Sequence, residues 1–390
     1  PWYDPRIGGA QVRVAVTVCG LEQRQGVLAE SILERKEGDY IKVNLDTLRG
    51  RINTDLTVAI DATKLTQLRA NERLSWRGVT VVGKGFIITP EQAKILGLGR
   101  IPGLEKHIRP YMNGNDLAKI SRNKMIIDLY GLTIEEVQRR YPEVYAWIVD
   151  NVKPSRDQNR DDGRRNRWWI FGRTGEGFRN SVEGLSRYIA TPQNSRRFYF
   201  SFVNANVIPD DKLVTFTFSD AYFLGVLSSK IHKAWTVATG GRLGVGNDLV
   251  YIKTACFDAF PFPNATDEQK ARIRALAEAI DAHRQQRREL HPKLTLSDMY
   301  AVMEQIFYGV NLTPKEKTVS DQSDIPALLK LNTELDAAVA DAYGWPANLT
   351  TDEILTRLLE LNKQRAEEER NGTIHWLRPE YQSPDSSTTP

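Results

Sequence analysis

"RYIATPQNSRRFYFSFVNANVIPDDKLVTFTF", residues 187–218, is the stretch that decides the fold class. It contains short runs rich in aromatic and β-branched residues, which favour strands, and the polar group PDDK at residues 209–212 is typical of a turn between them. A further run of this kind, LVYIKT, occupies residues 249–254. Short strands at this spacing predict a twisted, mostly antiparallel sheet.

Helix signals flank this region on both sides. Thr89 and Thr133 each begin a capping pattern before an apolar periodic run, and the second helix is predicted to extend to about Val152. Beyond PFPNATDEQ, residues 261–269, the chain is helical by period, with predicted N-caps at Thr266 and Thr350. The predicted fold class is therefore α+β, a mixed, mostly antiparallel sheet followed by an all-helical carboxy-terminal region.

Composition is that of an ordinary soluble protein. The 390 residues are 41% apolar and 26% charged, with no apolar run of membrane-spanning length and no secretory leader. Cys19 and Cys256 are too few and too far apart for a disulfide framework, which favours a cytoplasmic location. The first residues, PWYDPRIGGAQ, lack an initiator methionine and predict a piece of a longer chain. The alternation of Ala10–Val18 predicts a half-buried strand, the last strand of a preceding unit.

Positive charge is concentrated in one region. Residues 151–200 hold eleven Lys or Arg against five Asp or Glu, whereas residues 321–390 hold six basic and thirteen acidic residues. Within the basic region, RRNRWWIFGR at residues 164–173 places two tryptophans among arginines. This pattern fits phosphate and base contact, but a solvated charged face beside one buried tryptophan explains it as well.

Complete catalytic motifs are missing from the sequence. There is no glycine-rich turn after a strand and no Asn-Pro-Pro-Tyr-like tetrapeptide, because GLGRIPG at residues 97–103 follows a predicted helix. PDDK lacks the second acidic element of a nuclease site, and His232 is interpreted as a helix-face residue. We therefore expect neither a catalytic residue nor a bound cofactor or metal in this chain.

An ordered series of segments resembles the MmeI-like DNA methyltransferases, which are single-chain restriction-modification enzymes related to other Type IIG proteins. The series is IRPYMNGNDLA (108–118), VKPSRDQNR (152–160), RWWIFG (167–172), RYIATP (187–192), AYFLGVLSSKIHKAW (221–235) and GGRL…TACFDAFPFP (240–263). The ending LDAAVADAYGWP…EILTRLLELN…WLRPEYQ, within residues 335–382, resembles the helical carboxy-terminal region of the same family. The resemblance covers nearly the whole chain.

The resemblance implies a division of labour. In that family a nuclease and a methyltransferase core precede the target-recognition domain, and the parent enzyme methylates a flipped adenine with S-adenosyl-methionine. This chain would then be the part that recognises double-stranded DNA, with the amino-terminal domains as its partners. The implied domains are the end of the methyltransferase (1–75), the target-recognition domain (76–263), the helical domain (264–378) and a disordered tail (379–390).

Two groups of side chains are the candidate DNA contacts. The candidates for phosphate contact are basic residues from the region of concentrated charge: Lys153, Arg156, Arg160, Arg164, Arg165, Arg167, Arg173, Arg196 and Arg197. The candidates for base reading lie in TGGRLGVGNDLVY, residues 239–251: Arg242, Asn247 and Asp248. The glycines of this segment allow close approach to a groove, although Gly240 and Gly241 are equally typical of a helix cap.

A second class of function remains open at this point. The basic aromatic block could face a protein or an RNA, and the helical end could mediate assembly, which would make the chain a non-catalytic interaction scaffold. The salt dependence of duplex binding separates the two hypotheses, because counterion release accompanies phosphate contact.

Overall fold

A computed structural model describes residues 26–37, 40–50, 65–243 and 248–383. The predicted strand Ala10–Val18 lies outside these ranges. The described strands are β1 (Gly26–Glu37), β2 (Tyr40–Gly50), β3 (Ser75–Arg77), β4 (Ile87–Ile88), β5 (Ile108–Met112), β6 (Lys124–Ile127), β7 (Arg187–Pro192), β8 (Asn194–Ser195), β9 (Ser201–Asn204), β10 (Ile208–Pro209), β11 (Leu213–Phe216), β12 (Gly241–Leu243) and β13 (Asp248–Val250).

The described α-helices are α1 (Pro90–Ile95), α2 (Gly114–Ala118), α3 (Ile134–Arg140), α4 (Pro142–Asn151), α5 (Lys153–Asp157), α6 (Asp162–Asn166), α7 (Glu176–Val182), α8 (Ala221–Ser228), α9 (Lys230–Thr239), α10 (Lys253–Cys256), α11 (Asp267–Leu290), α12 (Leu296–Phe307), α13 (Pro314–Ser323), α14 (Ile325–Ala342), α15 (Thr351–Arg370) and α16 (Pro379–Gln382). Short 3₁₀ helices cover Arg69–Asn71, Lys84–Phe86 and Leu104–Lys106.

The sheets are mostly antiparallel, as the sequence predicts. One has the order β3-β11-β7-β9 with every neighbouring pair antiparallel, and a second has the order β10-β5-β6-β4, in which β10 and β5 are parallel. A smaller sheet has the order β12-β13-β8, and β1 pairs with β2 in a two-stranded sheet. The predicted fold class is confirmed by these sheets together with the helices that follow residue 266.

Strand β7 shows why the central sheet is buried on both faces. Successive side chains of a strand point to opposite sides, so Ile189 joins the large hydrophobic cluster while Tyr188 and Ala190 join a smaller one. The large cluster also contains Phe216 of β11 and Leu335 of α14. The sheet and the carboxy-terminal helices therefore share one core, and residue 263 does not separate two cores.

The helix predicted from Thr133 to about Val152 is interrupted. Thr133 caps α3 with a capping box as predicted, but α3 ends at Arg140 and α4 starts at Pro142. Proline has no N–H and clashes with the preceding turn, so it is accommodated at the first position of a new helix. Both helices pack through Val137, Val144 and other apolar residues onto a cluster separate from that of β7.

The carboxy-terminal segment is ordered further than the sequence suggests. A disordered tail is predicted from residue 379, yet Pro379–Gln382 forms α16. Gln382 is buried and donates to the carbonyls of Ala70 and Glu72, and Arg73 lies over the Tyr381 ring. These partners are about three hundred residues away in sequence, which is why local composition does not reveal them. Within the described ranges, no helix is long and apolar enough to cross a membrane.

Candidate nucleic-acid interface

The tryptophans of RRNRWWIFGR are part of the core. Trp168 and Phe171 are buried in the hydrophobic cluster that also contains Phe86 and the helices α3 and α4. Trp169 is half-buried, and its indole Nε1 donates to the Leu132 carbonyl over 2.9 Å. The pair therefore anchors this segment by packing, and the surface of the segment is left to its arginines.

Arg156 is not available for phosphate contact, which corrects the sequence-based assignment. Its side chain is 1% exposed, and its guanidinium donates to the carbonyls of Val81 and Ile170 over 3.0 and 2.8 Å. It also lies 5.7 Å from the centre of the Phe86 ring. Burial lowers the pKa of Arg156 by removing its charge from water. Arg156 joins two chain segments rather than facing a ligand.

The other basic residues of this block lie at the surface. Lys153 pairs with Asp157 over 2.7 Å, Arg164 lies 3.5 Å from Asp161, and Arg165 pairs with Asp162. These are pairs within one turn, and exposed pairs of this kind exchange readily for a stronger anionic partner. The remaining members, Arg160, Arg167 and Arg173, are exposed.

A shallow cleft collects three of these arginines. It has a volume of about 230 Å³, and its lining includes Arg164, Arg167 and Arg173 together with Asp161, Gly172 and Thr174. Arg173 donates to the Gly78 carbonyl over 3.1 Å, which fixes that guanidinium at the cleft. A cleft bordered by guanidinium groups can hold phosphate oxygens through forked hydrogen bonds.

The base-reading candidates lie on a β-hairpin. Strands β12 and β13 pair antiparallel, with Arg242 opposite Leu249 and Leu243 opposite Asp248. Arg242 and Leu243 are exposed, and Asp248 is half-buried. Asn247 lies outside the described residues. The hairpin presents a guanidinium and a carboxylate at its outer end, which are the groups that read guanine and cytosine edges.

The helix-cap interpretation of the double glycine is confirmed for Gly240. Gly240 is the C-cap of α9, since its N–H donates to the Thr236 carbonyl over 2.9 Å. A Cβ there would lie 2.5 Å from the same carbonyl oxygen, so no larger residue fits. Gly241 starts β12 directly. The cap and the hairpin therefore follow each other without a connecting loop, and this holds the hairpin close to the core.

Strand β8 brings the second group of cations to the hairpin. Leu249 of β13 pairs with Ser195, so Arg196 and Arg197 follow directly after the paired strand. Arg196 lies 3.9 Å from Asp248, and its side chain is 70% exposed. Arg197 Nε donates to Glu304 of α12 over 2.6 Å. We call the exposed groups of this hairpin and its neighbour, Arg196, Arg242, Leu243 and Asp248, the hairpin surface. The register puts Leu243 and Asp248 on one face of the sheet and Arg242 on the other.

Several motifs that were considered for catalysis lie within the described residues. No group of three or more His, Cys, Asp or Glu could hold a metal ion within these ranges. GLGRIPG follows helix α1, as expected. The PDDK segment forms a turn after β10, in which the Asp210 side chain accepts a hydrogen bond from the Lys212 N–H. His232 is buried in α9, and desolvation lowers its pKa to about 4.

Comparison with known proteins identifies the family. A family model described as MmeI, target recognition domain, matches residues 60–264, which is more than half of the chain. DNA methyltransferase A of Bacillus subtilis (strain 168) is 27% identical over 168 residues, which are 40% of this chain and 19% of that protein. This match confirms the resemblance to DNA methyltransferases stated above.

The fold is shared with a solved structure of a type IIL restriction-modification enzyme, MmeI, in complex with DNA. The TM-score is 0.64 at 21% identity, over 89% of this chain and 42% of that one. This chain thus spans less than half the length of either relative. The family model covers more than half of the chain, and the chain belongs to the MmeI target recognition domain family.

Proposed function

We propose that this chain is the DNA-recognition part of a site-specific, adenine-specific DNA methyltransferase of a restriction-modification system. The observation that supports the proposal is the hairpin surface, because pairing between β13 and β8 brings Arg196 within 3.9 Å of Asp248. An interface that both grips the backbone and reads bases needs these two kinds of group next to each other.

The hairpin would enter the major groove of a duplex. A guanidinium such as that of Arg242 matches the O6 and N7 acceptors of guanine, and a carboxylate such as that of Asp248 accepts from the amino group of cytosine. The glycine-rich segment between these residues allows the backbone to approach the base edges. Asn247, whose amide matches adenine, stays a candidate from sequence.

The basic cleft would contact the phosphate backbone. Arg164, Arg167 and Arg173 border it, and Lys153, Arg160 and Arg165 are the other surface candidates of the same block. Each phosphate contact releases condensed counterions, so the block would contribute affinity without sequence preference. Arg197, held by Glu304, would orient the hairpin more than it contacts DNA.

The catalytic part of the enzyme would lie in preceding domains, in the bacterial cytoplasm. We propose that those domains bind S-adenosyl-methionine and methylate an adenine extruded from the duplex, as in Type IIG enzymes. This chain would fix the position of that adenine by its contacts with the flanking bases. We expect calorimetric titration of the chain with S-adenosyl-methionine to give no binding heat, and saturable binding would contradict this assignment of roles.

Selection from a randomised duplex pool tests the recognition role. The chain is used to retain duplexes at moderate salt, and the recovered pool is sequenced. A defined enriched motif is the expected result. Arg242→Ala is then expected to relax the preference at one position, whereas Arg165→Ala is expected to weaken binding to all sequences alike. A chain that retains no duplex at any salt concentration would refute the proposal and favour the scaffold function.

A further inference from the structure

The register of the small sheet β12-β13-β8 shows which of its faces points away from the core. Leu249 of β13 is buried in the large hydrophobic cluster, and it pairs with Arg242 on one side and Ser195 on the other. Directly paired residues of a sheet point to the same face, so this is the face that lies against the core. The residues that alternate with them along the three strands therefore form the outward face.

Polar side chains make up most of this outward face. Leu243 pairs with Asp248 on it, and Val250 pairs with Asn194. Arg196 follows two residues after Asn194 and lies 3.9 Å from Asp248, which places its side chain on the same face. Asn194, Arg196 and Leu243 are exposed, and Asp248 is half-buried. The outward face therefore offers an amide, a guanidinium and a carboxylate to a ligand.

Asn194 combines a free side chain with a fixed backbone. Its side-chain amide has no hydrogen-bond partner among the described residues, and its backbone belongs to the ladder between β8 and β13. The preceding Gln193 donates its N–H to the Lys212 carbonyl and accepts from the Tyr251 N–H, each over 2.8 Å. The Gln193 side chain also accepts from Arg77 over 3.2 Å. These bonds hold Asn194 in one place, as a recognition group requires.

We propose that Asn194 reads an adenine in the major groove, next to the bases read by the hairpin, an inference that rests on the proposed function. An asparagine amide can donate to N7 of adenine and accept from its N6 amino group at the same time. The major groove admits a β-ribbon, so side chains on the outward face can meet base edges. Arg196, whose side chain is 70% exposed, supplies positive charge beside Asn194 that a duplex complements.

The register also predicts the distance between two of the bases that are read. Asn194 is opposite Val250, two residues from Asp248, and such diagonal neighbours lie about 7–8 Å apart. Successive base pairs are about 3.4 Å apart along a duplex. The bases read by Asn194 and Asp248 are therefore expected to be about two base pairs apart. Arg242 lies on the other face, at the edge of the sheet, and is not tied to this spacing.

Selection from the randomised duplex pool, repeated with variants of the full chain, tests the inference. Asn194→Ala is expected to reduce the preference for adenine by about fivefold to a hundredfold at one position and to leave the rest of the motif unchanged. Asn194→Asp replaces the amide donor by an acceptor and is expected to move the preference at that position to cytosine. Asp248→Ala is expected to relax a position about two base pairs away.

A matched control and two further measurements separate base reading from other roles. Asn264 is an exposed asparagine in the cleft lined by Leu68 and Trp376, so Asn264→Ala is expected to keep the parental motif. Urea denaturation is expected to show unchanged stability for Asn194→Ala, because the side chain is exposed. The salt slope of duplex binding is also expected to stay unchanged for Asn194→Ala, since a neutral amide releases no counterions.

Failure of this inference differs from failure of the proposed function. A parental motif retained by Asn194→Ala, while Arg242→Ala or Asp248→Ala alters it, would overturn the reading role of Asn194 and leave the recognition role intact. An equal loss of affinity for all sequences, with an unchanged motif, would show a contact to the DNA backbone only and would also overturn it. A parent chain that enriches no motif overturns this inference, and one that retains no duplex refutes the proposed function as well.

Discussion

Replacing Arg156 separates structure from DNA contact in the basic block. The side chain is buried and bridges the carbonyls of Val81 and Ile170, which belong to two separate segments of the chain. Arg156→Ala is therefore expected to destabilise the fold without changing the charge that a duplex meets. Arg165→Ala is the matched control, because Arg165 lies in the same block and pairs at the surface with Asp162.

The magnitude follows from the two carbonyls. Each buried acceptor left without a donor costs about 1–3 kcal/mol, which gives about 2–6 kcal/mol for the pair. Removing the guanidinium also relieves the desolvation of a charge whose Nε has no hydrogen-bond partner, and this offsets part of the loss. The expected decrease in the free energy of unfolding is about 3 kcal/mol, against about 0.5 kcal/mol or less for Arg165→Ala.

Two measurements on the same variants check this expectation. Urea denaturation followed by tryptophan fluorescence gives the stability, and duplex binding at several salt concentrations gives the number of phosphate contacts. Arg156→Ala should lower the urea midpoint and leave the salt slope unchanged, while Arg165→Ala should reduce the slope by about one and leave the midpoint unchanged. An Arg156→Ala chain with parental stability and a reduced slope would refute the reasoning and restore Arg156 as a phosphate contact.

Three further substitutions test how buried side chains stabilise the fold. Arg284 is buried and donates to Asp281 over 2.8 Å and to the Phe200 carbonyl over 2.9 Å. Arg284→Ala should therefore lower the free energy of unfolding by about 3–5 kcal/mol, measured by urea denaturation. Gly177→Ala should lose about 1–3 kcal/mol by the same assay, because a Cβ would lie 2.3 Å from the Trp76 ring. Burial lowers the pKa of His232 to about 4 in the folded state, below the unfolded value of about 6.5, so the unfolded state binds the proton first as pH falls. The free energy of unfolding should therefore fall by up to about 3 kcal/mol between pH 6.5 and pH 4. His232→Gln should flatten that part of the dependence of stability on pH.

Local signals were sufficient for much of the fold. The capping residues Thr89, Thr133, Thr266 and Thr350 are confirmed, each accepting a hydrogen bond from the backbone three residues later. This signal spans one helical turn, so sequence reveals it without tertiary information. The aromatic and β-branched composition of short runs likewise predicts the strands that include β7 and β11.

The site depends on contacts that no local pattern contains. The two carbonyls that accept hydrogen bonds from Arg156 lie 75 and 14 residues away from it in sequence. The residues of the Arg197–Glu304 pair are 107 residues apart. In this part of the sequence, an arginine that bridges carbonyls and one that contacts phosphate have similar neighbouring residues. The prediction that Arg156 contacts phosphate is therefore wrong, although its local sequence supports it.

The hairpin is constructed so that recognition and stability are separable. Its base is fixed, since the Tyr251 N–H donates to the Gln193 carbonyl over 2.8 Å and the Tyr251 ring is buried among aromatic residues of the large cluster. Its outer end is not, since β12 is the edge strand of its sheet and Arg242 lies exposed on it. Changes at Arg242 or Asp248 therefore remove no core contact, and a new sequence preference can arise there without loss of folding. A change at Tyr251 removes core packing and hairpin position together, so no new preference can arise by that route.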